Sequence, residues 1–242
     1  NSYIKKESKL DFDKIKESIE TDNIKYIVKT GYEIFAKSLI ENKEDSKTYF
    51  KMAKAFFEDM QINGNESIVD KYKNMIFKGN IIGRSADGWE FYTDELKYDS
   101  QRERYYSTGK VKAGNKGKKV NIIGDNLESN RDFTIVTLSG NVKLLSENVN
   151  LTAQRVTYDR VRNLVRLNDN ISFTAKDFKT KNGKVDKISG IMNYGVYDVK
   201  QKQFTVWGKY TAYYIGYVIK ADNLMYYANT GNLNAYENAT IE

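Results

Sequence analysis

The chain contains no histidine, no cysteine and no proline. Without imidazoles or thiols there is no Ser-His-Asp triad, cysteine nucleophile, disulfide, conventional zinc site or histidine-ligated haem. Most metal and redox chemistry is excluded, and neither a cofactor nor a metal is expected. With no proline, every backbone N–H stays available, which suits long hydrogen-bonded ladders. A coding bias that also enriches Asn, Lys, Ile and Tyr accounts for the same absence equally well. No apolar run reaches the length of a membrane-spanning helix. The first residue is Asn1 rather than an initiator Met, so a removed leader, signal or anchor is expected.

What is present is a basic, aromatic-rich chain of 242 residues. Lys and Arg number 39 against 32 Asp and Glu, a formal charge of +7. Apolar residues make up 40% and aromatic residues 13%, with 19 Tyr and 11 Phe, enough to bury a core and too much for a disordered chain. One domain, or two small ones, is the expectation for this length.

An internal repeat organises the chain from Met75 onward. A nine-residue alternation, apolar-x-apolar-x-Gly-x-apolar-x-apolar, begins at Met75, Tyr105, Val136, Val165, Phe204 and Leu233. Gly79, Gly109, Gly140, Asp169, Gly208 and Glu237 hold its central position. Period two sustained over nine residues is a strand signal. A second element precedes most copies: apolar-x-apolar-x-small, two mostly polar residues, then apolar-x-Tyr. It runs through Trp89–Tyr98, Val120–Ser129, Val149–Tyr158 and Ile219–Tyr226, with degenerate copies at Thr21–Tyr26 and Tyr32–Leu39. Its two consecutive polar residues shift the alternation by one. A strand absorbs that only through a bulge or corner that returns its apolar face inward. The stretches Asp99–Arg102, Asn130–Asp132, Asp159–Asn163 and Asn229–Asn232 have hairpin-turn composition. One interval is longer and contains a polar insertion, Lys176–Lys187.

Each unit of about thirty residues is thus two bent strands with one apolar face, which stacking buries in a sheet rolled on itself. The fold class is all-β. Near the N-terminus Leu10, Phe12, Ile15 and Ile19 fit one face of a short helix. Tyr49, Met52, Ala53, Phe56, Phe57 and Met60 fall at helical spacing, yet Ala53-x-x-Phe56-x-Glu58 also fits the bent-strand template. Because a roll needs neighbouring strands to continue, 48–62 is read as strand. The expected division is an N-terminal segment or tether over 1–18 and a single domain over 19–242.

The run Gly79-Asn80-Ile81 through Asp87-Gly88-Trp89 to Tyr98-Asp99, followed by Ser107-Thr108-Gly109-Lys110-Val111, resembles the periplasmic lipopolysaccharide-export proteins (LptC/LptA, OstA-like). Gly140-Asn141-Val142 and Ala221-Asp222-Asn223-Leu224-Met225-Tyr226 repeat the idiom. The order of elements near residues 32–99 leans toward the membrane-tethered, LptC-like member. That resemblance implies an elongated β-jellyroll with an open apolar groove. It also implies an inner-membrane tether through a removed N-terminal segment, a periplasmic location, and passage of lipopolysaccharide acyl chains toward the outer membrane. No enzyme is implied.

The candidate groove liners are Phe91, Leu96, Tyr98, Ile122, Leu127, Val136, Leu138, Val142, Leu151, Val156, Tyr158, Val165, Leu167, Ile171, Phe173, Phe204 and Val206. For any one of them packing in a dry core is the plainer reading, and only those nearest the open seam are expected to touch lipid. The positive charge suits an anionic headgroup. Lys112–Lys119 is the densest basic stretch, and its glycines read as a solvated hairpin loop. No nucleic-acid motif accompanies it. The final copy keeps its alternation in Leu233, Ala235, Ala239 and Ile241 without Pro or Lys, and is expected to pair edge to edge with another jellyroll of the export bridge. An inner-membrane transporter complex is the other partner implied. The alternatives are a surface adhesin or structural β-roll with a dry core, and a solenoid enzyme using outward carboxylates such as Asp94, Asp125 and Asp222.

Overall fold

Period-two alternation becomes strand at every repeat. The computed structural model describes residues 10–28, 31–107, 109–180, 183–214, 216–227, 230 and 232–242, and for 177–180 and 183–186 the backbone alone. It contains one short helix and nineteen strands among the described residues, and the ladders within each unit are antiparallel. The chain divides into two compact units, Asn1–Lys119 with Asn126–Phe133, and Val120–Asp125 with Thr134–Glu242.

Unit 1 opens with helix α1 (Phe12–Glu20), started by Asp11, whose side chain accepts the Lys14 N–H. Its apolar stripe, Phe12, Ile15 and Ile19, packs on Phe35, Phe56 and Ala86. Strands β1 (Ile24–Val28), β2 (Tyr32–Ala36), β3 (Ser38–Asn42), β4 (Lys47–Phe57) and β5 (Met60–Val69) follow, then β6 (Met75–Ser85), β7 (Trp89–Asp99), β8 (Arg104–Ser107) and β9 (Val111–Asn115). The stretch 48–62 is strand, broken only by the Glu58–Asp59 turn. The chain then runs through β10 (Val120–Gly124), which pairs within unit 2, and β11 (Asn126–Asn130), which pairs with β8 in unit 1. Unit 2 continues with β12 (Ile135–Ser146), β13 (Val149–Asp159), β14 (Leu164–Thr180), β15 (Gly183–Asp198), β16 (Gln203–Tyr214), β17 (Tyr217–Tyr227), β18 (Asn232–Tyr236) and β19 (Thr240–Ile241). The polar insertion lengthens the β14–β15 hairpin, whose ladder reaches Thr180↔Gly183.

The repeated glycine register is where strands bend. Gly79–Asn80, Gly140–Asn141, Asp169–Asn170, Gly208–Lys209 and Glu237–Asn238 are consecutive residues with φ between +47° and +81°. In β6, β12 and β16 these two residues face a single residue of the following strand, and the register resumes beyond them. The extra residue turns the strand and restores the apolar face to the inside. At Gly109 the chain breaks between β8 and β9 instead. The facing carboxylates brace the corner. The Asp125 N–H donates to the carbonyls of Ser139 (3.1 Å) and Gly140 (2.9 Å), and Asn141 Nδ2 donates to Asp125 Oδ2 (2.8 Å). Asp222 repeats this: its N–H donates to the Glu237 carbonyl (2.9 Å) and its Oδ2 accepts from Asn238 Nδ2 (2.7 Å).

Opposite ends of the strands are closed by aspartate-started turns. Asp99, Asp159 and Asp198 each accept two backbone N–H groups through Oδ1, at 2.9–3.1 Å. That is the mechanism by which Asp favours turns. Of the expected turn over 229–232, Asn229 and Gly231 lie outside the described residues, as do residues 1–9 of the N-terminal segment and Thr108 of the Ser107–Val111 run.

The corner carries a prediction. At Gly140 the backbone is left-handed and an added Cβ would meet Asp125 at 2.9 Å, whereas one at Gly109 would meet nothing within 4 Å. Gly140→Val should lower unfolding free energy by at least about 1–2 kcal/mol, and Gly109→Ala should stay within about 0.5 kcal/mol of the parent. Urea unfolding followed by circular dichroism measures both.

Candidate functional site

The inward side chains of unit 2 align in rungs that cross the strands. Next to the corner, Leu138, Val156, Leu167, Gly195, Val206 and Leu224 are register partners in succession, and all are buried. On the other side of the corner Val142 pairs with Ala153, Ile171 with Met192 and Tyr210 with Ala221, again all buried. One rung farther out the burial changes. Val136, Tyr158, Val165, Tyr197, Phe204, Tyr226 and Leu233 form a continuous register row, and every one is only half-buried. The matching row on the second arm is mixed: Ile122, Leu144, Phe173 and Ile219 are half-buried and Ile241 is exposed, while Leu151, Gly190 and Ala212 between them are buried. Unit 2 is therefore a wedge, tight at the bend and with aromatic and aliphatic lips that water reaches. Gly190 makes room for the Phe173 ring on the second lip, where a Cβ would sit 2.8 Å from it.

Unit 1 uses the same register with the opposite outcome. Its outer rung, Met75, Tyr98, Tyr105 and Ser129, is buried throughout, and so is the row Ile34, Ala55, Ile62, Gly83 and Phe91 on the other arm. The fully buried large aromatic side chains, Tyr32, Phe35, Phe50, Phe77, Tyr105 and Phe133, all belong to this unit. Among the described aromatic residues of unit 2, only Tyr210 is buried.

The seventeen candidate liners fall into three environments. Phe91, Leu96, Tyr98 and Leu127 lie in the closed interior of unit 1. Leu138, Val142, Leu151, Val156, Leu167, Ile171 and Val206 are buried in unit 2, mostly along its bend. Ile122, Val136, Tyr158, Val165, Phe173 and Phe204 stand on the lips. The lips also bear Leu144, Tyr197, Ile219 and Tyr226, which were not among the candidates. Tyr197 belongs to β15, whose inward series Ile188, Gly190, Met192, Gly195 and Tyr197 is interrupted by two glycines that mask its alternation. Burial and the adjacent Asp198 carboxylate raise the Tyr197 phenol above its ordinary range.

Of the edge residues, Leu233 and Ala235 lie in β18 and Ile241 in β19, both laddered to β17, with Ala239 exposed between them. Of the recurring carboxylates, Asp125 and Asp222 are engaged by the corners. No cluster suited to a metal occurs among the described residues. Lys116–Lys119 forms the exposed turn after β9, with Lys118 Nζ over the Trp89 ring at 5.8 Å.

Residues 121–232, just under half of the chain and spanning most of unit 2, match the family model of the LptA/(LptD N-terminal domain) LPS transport protein. The resemblance to the lipopolysaccharide-export family holds over that stretch. Among solved structures, one similar chain is LptH, the LptA homologous periplasmic component of the lipopolysaccharide transport device from Pseudomonas aeruginosa. Identity is 14%, the TM-score is 0.46, and the match covers 52% of this chain and 95% of that one. No curated protein matches the chain.

The buried phenol of unit 2 yields a pH prediction. Burial pushes Tyr210 up to about 12, and its hydroxyl has no hydrogen-bond partner. Above pH 10 the unfolded chain releases this proton while the folded one retains it, so the contribution to stability declines as pH rises from 10 toward 12. Tyr210→Phe removes no hydrogen bond and should be neutral or slightly stabilising at pH 7. It should also flatten the alkaline loss of stability, as read by urea unfolding at pH 7 and pH 11.

Proposed function

We propose that this protein shelters the acyl chains of lipopolysaccharide, or of a similar glycolipid, as one element of a periplasmic bridge to the outer membrane, and that the lips of unit 2 are the surface that holds them. The observation carrying this reading is the wedge itself: beyond a buried bend, a continuous inward row of aromatic and aliphatic side chains from Val136 to Leu233 is left half-open, facing a second row in which Ile122, Leu144, Phe173 and Ile219 are half-open as well. A dry core has no use for such rows, because each buried CH₂ contributes about 0.8 kcal/mol only once it leaves water. An acyl chain laid between the lips completes that burial. The match of residues 121–232 to the export family supports the same reading. The +7 charge favours a phosphorylated headgroup at the rim.

In this reading the protein is held at the inner membrane from its N-terminal side, receives lipid from the inner-membrane transporter complex, and passes it to another jellyroll that pairs with the edge formed by β18 and β19. Tyr236 and Ile241 are exposed there.

A photo-crosslinker placed at Tyr158 or Phe173 should yield adducts with purified lipopolysaccharide. Phe173→Glu and Phe204→Glu should each cut adduct yield at Tyr158 by about tenfold or more, since an unpaired carboxylate against an acyl chain costs well over the roughly 1.4 kcal/mol that tenfold represents. Circular dichroism should stay unchanged, because both positions are half-exposed. Val142, fully buried at the bend, is the wrong place for that test. Undiminished adducts in both folded variants would remove the lips as the site. For the partner, proline at Ala235 and Ala239 together should leave β12–β17 folded and abolish association with a second jellyroll in a pull-down. Unchanged association would place docking elsewhere.

A further inference from the structure

One hairpin breaks the pattern of its repeats. The left-handed residue that ends each turn recurs at Lys73, Glu103, Phe133, Asn163 and Lys202, the first four spaced by thirty residues. Four of these are polar, as a solvated turn favours. The fifth is a phenylalanine held at φ +55°, an unusual conformation for a bulky side chain. Phe133 does not point to water but is 2% exposed, its ring 4.5 Å from Tyr105 and 5.8 Å from Phe91.

Those contacts bridge the arms of unit 1. The hairpin follows β11, on the arm of β8, whereas Phe91 and Phe57 belong to the other arm. Beside Phe133, the Arg131 guanidinium lies over the Phe57 ring at 5.0 Å and 3.5 Å from Glu103. Phe57 in turn stacks on Tyr32 at 4.5 Å, and Tyr32 meets Tyr98 at 5.9 Å. The mouth that stays open in unit 2 is thus closed here by the 130–133 hairpin. A surface depression of about 470 Å³, lined by Phe57, Asn130 and equal numbers of arginines and carboxylates, among them Arg131, Glu103 and Asp132, already lies beside it.

The closed interior is imperfectly satisfied. The hydroxyls of Tyr32 and Tyr105, flanking the closure on its two sides, are buried without a hydrogen-bond partner. Such groups penalise the shut state and would gain partners from a ligand's ester or amide.

We propose that the 130–133 hairpin is a latch, and that the interior of unit 1 is a second acyl-chain site that becomes available when Phe133 and Arg131 swing out. The chain's carbonyl groups then meet the Tyr32 and Tyr105 hydroxyls. The proposal rests on the carrier reading for the nature of the ligand and on unit 1 alone for the latch.

The test uses the full chain with a photo-crosslinker at Ala113, the half-buried register partner of Phe91, and separately at Phe173 in unit 2. Phe133→Asn installs the residue found at 163, which suits the left-handed turn, and should raise lipopolysaccharide adducts at position 113 several-fold while leaving those at 173 unchanged. Arg131→Ala, a change at a partly exposed side chain, should act in the same direction to a smaller extent and serves if Phe133→Asn fails to fold. Adducts at 113 equal to those of the parent in the folded variants would overturn the latch. If position 173 gives no adduct in the parent, the carrier reading falls. The latch is then judged by a hydrophobic fluorescent dye, whose emission must still rise several-fold on Phe133→Asn and overturns the latch if it does not.

Discussion

Everything in this molecule follows from how a strand turns a corner without losing its inside. Side chains alternate with period two, so a bend that consumed one residue would expose every apolar side chain beyond it. Two left-handed residues on one strand against a single residue on its neighbour resolve this, and Val142 faces inward again after Leu138. Glycine suits the first of the pair, yet Asp169 and Glu237 adopt the same conformation. The corner is therefore imposed by the ladders on either side of it, clasped by an Asp–Asn pair at Gly140–Asn141 and Glu237–Asn238, with glycine easing a geometry that the sheet demands.

A bend repeated at one register produces a wedge, and the wedge sets burial. Near the bend the arms are close, and side chains as small as Ala153 and Ala221 fill the space. Farther out only large groups span the gap. In unit 1 a stack of Phe57, Tyr32, Tyr98, Tyr105, Phe133 and Phe91 spans it, with successive centroids 4.5–5.9 Å apart. In unit 2 the corresponding rows present Val136, Val165, Leu144 and Ile219 beside their aromatics, and the lips remain wet. The same backbone scheme thus gives a packed core or a groove according to what stands four residues from each corner.

This explains what could be read in advance. Period, phase, corner register and the Asp-started turns depend on neighbours within one or two strands, and the residues state them directly: Gly79 and Gly140 mark the bends, Asp99 and Asp159 the turns. Helix α1 was visible through Phe12, Ile15 and Ile19. The distinction between lip and core was not. Tyr98 and Tyr158 end equivalent copies of one strand element as inward tyrosines, but Tyr158 stands half-buried on a lip whereas Tyr98, like Phe91, is closed over by the 130–133 hairpin and by β2, whose Tyr32 is far away in sequence. Phe133 was passed over because its turn composition ended, by the usual signs, at Asp132.

Under the proposed carrier function, a perfect pocket would be no advantage. At about 0.8 kcal/mol per buried CH₂, a twelve-carbon chain wholly enclosed would be held by roughly 10 kcal/mol, and release would take on the order of seconds to minutes at ordinary association rates. Half-open lips moderate that hold, because the chain keeps one flank in contact with the next surface that takes it. Aromatic lips also present flat faces over which a chain can slip from one rung to the next without meeting a polar barrier. The half-burial of Tyr158, Phe173 and Phe204, wasteful in a structural core, suits the proposed function, in which the surface must bind and let go.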